Sequence, residues 1–140
     1  MTYAEKVKET INQLITRLKE ISSLNNRVYK GYYTEHKEYP VLLVHLYEDT
    51  PIEETITQRR HHIRVHLLLK VRGNLGGDAE SQMESFIDEV GYVIDKLDEY
   101  MANPPYWDLV RIHRVNYTFK QERQVIFYNA LIDIELTRMW

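Results

Sequence analysis

The sequence contains no cysteine. That absence excludes disulfide frameworks, thiolate zinc sites and cysteine nucleophiles together, and it leaves the redox compartment open, because a chain without thiols is stable in either. Long apolar runs are missing as well. The longest, such as Pro40-Val41-Leu42-Leu43-Val44, fall far short of the roughly 20 residues a membrane-spanning helix needs, so no membrane span is expected. The opening MTYAEKVKETINQLI has no apolar core of the kind that follows a basic region in a secretory signal, and synthesis in a cytoplasm is the expectation. Glycine and proline are sparse, at five and four residues, which removes collagen-like and low-complexity chains. There is also no excess of positive charge. The formal net charge is -3, against any general affinity for nucleic acid, which shows as a strongly basic domain.

What is present is the composition of an ordered globular chain, 44% hydrophobic and 28% charged. A chain of 140 residues can bury roughly two-thirds of the surface it exposes when unfolded, so one domain spanning residues 1–140 is expected. From Tyr3 to about Leu24, Val7, Ile11, Leu14, Ile15, Leu18 and Ile21 recur at three- and four-residue steps, the stripe of an amphipathic helix. Ser22-Ser23-Leu24-Asn25-Asn26 ends it with residues that favour turns. Arg27 to Tyr33 is a short β-prone piece, and Tyr39 to Tyr47 a stronger one that starts at Pro40, which cannot donate to a ladder. The longest strand runs from about Thr55 to Arg72. In it Ile63, Val65, Leu67 and Leu69 point one way and His62, Arg64, His66 and Leu68 the other, which predicts one core face and one largely basic face.

Gly73 to Asp78 reads as a loop. A second helix follows from about Asp78 to Met101, with Met83, Phe86, Ile87, Val90, Ile94, Leu97 and Met101 on its apolar stripe, stopped by Asn103-Pro104-Pro105. Two strands close the pattern, Leu109 to Phe119 and Gln124 to Leu136, joined by the polar turn Lys120-Gln121-Glu122-Arg123. The order is α-β-β-β-α-β-β. Burying both helical stripes requires an α+β fold, a mainly antiparallel sheet of about five strands with the two helices packed on one face.

No spacing carries chemistry. His61 and His62 face opposite sides of a strand, and His62 and His66 are about 13 Å apart at roughly 3.3 Å per residue, so these imidazoles cannot share a zinc ion. The acid pairs Glu53-Glu54, Asp88-Glu89 and Asp98-Glu99 read as solvated surface, and no nucleophile elbow, phosphate loop or His-Glu-x-x-His motif is present. No catalytic residue, metal or cofactor is expected, and the work predicted is protein assembly. Charge is segregated instead. Arg59, Arg60, Arg64, Lys70 and Arg72 put five cations and no acid into one strand, whereas the second helix carries eight acids against Lys96 alone. A basic strand on one subunit can dock on an acidic helix of the next, a heterologous contact that closes into a ring or continues as a filament. The candidate subunit interface is therefore Arg59, Arg60 and Arg64 against Asp88, Glu89 and Asp95. Tyrosine is enriched at interfaces, and Tyr29, Tyr32, Tyr33 and Tyr39 cluster before the second strand as a candidate partner surface.

The layout resembles that of the tail terminator, or tail completion, proteins of long-tailed bacteriophages. The likeness rests on the N-terminal amphipathic helix, the Val28-Tyr29-x-Gly31 piece, the Tyr39-Pro40-Val41-Leu42-Leu43-Val44 strand, the long Arg60 to Val71 strand, the Met83 to Met101 helix and the closing hairpin to Leu136. It covers most of the chain and includes no diagnostic motif, so other head-tail connector and tail tube components fit nearly as well. The resemblance implies a homohexameric ring at the head-proximal end of the virion tail, made in the host cytoplasm. That ring caps the tail tube protein, ends its polymerisation and meets the head connector, while DNA passes the lumen without sequence-specific binding. Two readings from other classes stay open: a small ligand-binding or enzymatic α+β domain using His62, His66 and His113, and a nucleic-acid-binding accessory protein.

Overall fold

The structure, a computed structural model, describes residues 2–31, 38–53, 57–102 and 109–140. Helix α1 (Tyr3–Leu18) opens on a capping box. The Thr2 hydroxyl accepts from the Glu5 N–H at 3.2 Å, and the Glu5 carboxylate accepts from the Thr2 N–H at 2.9 Å, which satisfies donors that a helix start otherwise leaves open. The helix ends earlier than its apolar stripe suggests, and Ser22–Leu24 forms a separate 3-10 turn that still buries Ile21 and Leu24. Five strands follow the expected order: β1 (Val28–Lys30), β2 (Val41–Glu53), β3 (Arg59–Asn74), β4 (Leu109–Glu122) and β5 (Val125–Met139), with α2 (Ala79–Ala102) between β3 and β4.

The sheet runs β1-β2-β3-β5-β4. β1 lies parallel to β2, and every other pairing is antiparallel. The alternation expected in β3 is present, with Ile63, Val65, Leu67 and Leu69 fully buried. Its register sets Ile63, Val65 and Leu67 opposite Leu136, Ile134 and Ile132 of β5. These side chains, the α1 stripe, and Phe86, Val90, Val93 and Leu97 of α2 form one apolar cluster, so both helices cover the same face of the sheet. Among the described residues no helix is long and apolar enough to cross a membrane.

Other details differ from the sequence reading, and β3 runs on through Gly73 and Asn74, which read as loop in the sequence. β2 continues through Pro51 to Glu53, and β4 continues through Lys120, Gln121 and Glu122. Polarity there marks exposed strand and not a turn, and the hairpin closes on Arg123-Gln124 with Arg123 at φ 55. On α2, Val93 is buried while Met83 and Ile87 remain 45% and 54% exposed, because they lie alongside the outermost strand β4, where no further strand covers them. The side chain of Met101, and Asn103, Pro104 and Pro105, lie outside the described residues.

Candidate assembly surfaces

The face of the sheet turned away from the helices carries a polar network centred on β5. Strand register places Glu135 between Arg64 of β3 and Arg111 of β4, and Asp133 between His66 and Arg114. Asp133 accepts from the Arg64 guanidinium and from the Tyr47 hydroxyl, each at 2.8 Å. The two oxygens of Glu135 sit 3.1 Å from His62 Nδ1 and 3.3 Å from His113 Nε2. A β-bulge between Leu46 and Glu48 and another between Ile112 and Arg114 set Tyr47 and His113 where they meet these acids. The Tyr47 ring also packs on His66, with centroids 4.0 Å apart.

Both carboxylates are mostly shielded, at 19% and 15% side-chain exposure. Burial pushes the Asp133 carboxyl up, but hydrogen bonds from Tyr47 and Arg64 and the Arg64 charge outweigh it and hold the group below its ordinary value. The same balance holds Glu135 down, with His62 and His113 in the opposing role. An acid kept ionised in this way has no proton to give near neutral pH, so the network is suited to binding strands together and neutralising its own charge. Among the described residues no group of three or more His, Asp or Glu side chains is placed to hold a metal ion. The structure does bring His62 and His113 to one carboxylate across three strands, which sequence spacing alone could not show.

The candidate interface residues take separate places. Arg59 opens β3, exposed, with Glu53 at 3.7 Å. Arg60 is exposed beside it on the opposite face. Arg64 is bonded within its own subunit, to Asp133. On α2, Asp88 and Asp95 are exposed together with Glu84 and Asp98, residues whose spacing puts them on one stripe. Glu89 is half-buried and accepts the Ser23 hydroxyl at 2.7 Å. Tyr29 is 39% exposed on β1. Tyr39 is half-buried with its ring 5.3 Å from Phe127. Tyr32 and Tyr33 lie outside the described residues.

A third surface had no counterpart in the sequence reading. Met83, Phe86 and Ile87 of α2 and Tyr117, Phe119 and Tyr128 of the sheet line an apolar groove of about 340 Å³. Phe119 is 73% exposed and Tyr117 58%. The signal for it was the run Tyr117-Thr118-Phe119, whose aromatics share a face and point beside α2.

No protein-family model matches the chain, and no curated protein matches it. Among solved structures, the chain is similar to a chain of the virion of a native gene transfer agent particle, with a TM-score of 0.48 and 10% identity over 89% of this chain and 91% of that one.

Proposed function

We propose that the protein is a structural subunit of a phage-type virion, a tail terminator that assembles as a homohexameric ring. In this reading the ring caps the tail tube, ends its polymerisation and offers a surface to the head connector, while DNA passes its lumen unread. One observation carries it. The exposed acidic stripe of α2 and the exposed cations Arg59 and Arg60 at the start of β3 are two patches of opposite sign carried by different elements of one subunit. Patches of unlike charge on one subunit can meet between molecules. A contact between two different patches is heterologous, and with a closing rotation it generates a ring. The order and texture of the elements, like those of tail terminators, support the same reading.

Negative-stain microscopy of the purified protein tests it. Closed rings with a central hole are expected, and particles that stay single at high micromolar concentration would defeat the proposal. Rings that stack end to end into long tubes would assign the chain to the tube instead. Arg59→Glu with Arg60→Glu should reduce ring formation while leaving the folded subunit intact. Arg64 is left alone in this variant, since its partner is internal.

A further inference from the structure

β4 is the outermost strand on its side of the sheet, and among the described residues nothing pairs with its outer side. The register fixes which backbone groups face outward. Arg59 and Trp140 exchange both backbone hydrogen bonds, so by the two-residue alternation of an antiparallel ladder the odd residues of β3 bond toward β5. Carried across the sheet, this makes Glu135, Asp133, Leu131 and Asn129 bond toward Arg111, Arg114, Asn116 and Thr118 of β4. The N–H and C=O groups of Val115, Tyr117, Phe119 and Gln121 therefore point away from the sheet. Natural edges are blunted by short length, proline or bulges. β4 is 14 residues long, has no proline or glycine, and bulges only near its start. The apolar groove against α2 runs beside its open stretch.

Charge decides what can complete this edge. β4 carries Arg111, Arg114 and Lys120 against Glu122, so pairing with β4 of another copy would oppose like charges, which is unfavourable. An acidic strand with apolar side chains fits instead, and the chain contains one. β1 stops at Lys30, opposite Val44. Among the described residues nothing pairs with β2 beyond that point, where up to Thr50 it carries exposed Glu48, no lysine or arginine, and the exposed apolar Leu46. Pro51 has no N–H to give, so pairing along this edge ends before it.

We propose that the outer edge of β4 is completed by residues 45–50 of β2 from a second copy, so that the sheet of one subunit continues into the next. This rests on the ring reading and states how neighbours join. The two edges differ, so the contact is heterologous and each subunit uses both. It also brings Arg59, which shares the helix-covered face of the sheet with Ile63, to the side on which the neighbour's α2 presents Asp88 and Asp95.

Amide hydrogen exchange read by mass spectrometry, on assembled rings and on dissociated subunits, tests the pairing. The outward amides of Val115, Tyr117, Phe119 and Gln121, and those within residues 45–50 that face away from β3, are expected to exchange on the order of tenfold or more slowly in the ring, the scale of one added backbone hydrogen bond. Intact rings whose two edges exchange at the subunit rate would overturn the pairing and leave the ring reading standing, whereas absence of rings would remove the ring reading itself. Tyr117→Pro deletes an outward N–H without touching the β5 ladder, and Phe119→Lys adds a further cation at an exposed site. Both should hold the protein as subunits in light scattering, and Phe119→Lys should melt like the wild type. Wild-type rings from Phe119→Lys would count against the proposal even if Tyr117→Pro fails to fold.

Discussion

Asp133→Ala is the most informative single change, because two donors and one charge depend on that carboxylate. Its loss leaves the Tyr47 hydroxyl and the Arg64 guanidinium without the acceptor that each now holds at 2.8 Å. Arg64 Nε is already buried and unpartnered, so the guanidinium has little left to bond. Breaking a fully buried ion pair costs about 3–5 kcal/mol, and leaving a neutral buried group unsatisfied about 1–3. Arg64 keeps 25% side-chain exposure and can recover part of its hydration, which puts the expected loss at about 2 kcal/mol. For a chain of this length that corresponds to a melting temperature lower by about 6–8 °C. Urea and thermal unfolding of Asp133→Ala, Arg64→Ala and the double variant form the assay. The double variant should recover about 1 kcal/mol relative to additivity. A single-variant loss below about 0.5 kcal/mol, the scale of ordinary surface changes, or strict additivity, would refute the view that this network ties β2, β3 and β5 together.

The same network predicts acid sensitivity. Asp133 and Glu135 are held below their ordinary values, so their stabilisation is complete above about pH 4–5 and is lost as pH falls through the folded-state values; a urea midpoint unchanged between pH 6 and pH 3 would contradict it. Thr2→Ala removes the capping box of α1 and should cost about 1 kcal/mol in urea unfolding. Leu97→Ala empties a fully buried position and should cost about 2–5 kcal/mol, read in the same way. Phe119→Ser, at a 73% exposed site, should change stability by less than about 0.5 kcal/mol while weakening assembly in light scattering.

Much of the fold was legible because periodicity reports burial. Leu14 and Leu18 at helical steps, and Ile63, Val65 and Leu67 at alternate positions, are all fully buried. Element ends were less legible, since Lys120 to Glu122 are polar on account of exposure and not because the chain turns there. The candidate site was hardest to see. Asp133 and Glu135 alternate with core residues, as any solvent-facing pair would, and only the order β3-β5-β4 sets cations and histidines on both sides of them. The partner of Arg64 was hidden for the same reason, lying in a strand distant in sequence. The groove escaped notice because Met83 and Ile87 fit the α2 stripe by spacing, and sequence does not say where the sheet stops beneath a helix.

The place of β5 has a consequence for the order in which the molecule can be built. Among the described residues β4 joins the sheet through β5 alone, and β5 supplies Ile132, Ile134 and Leu136 to the middle of the core. A nascent chain that has reached Glu122 therefore has β3 with one naked edge and β4 with no place to attach. Closure waits on pairings between residues far apart in sequence, such as Arg60 with Met139, which are slow to form. The interval before β5 pairs is when two adhesive strand edges coexist on one chain, so the subunit is most exposed to aggregation before β5 docks.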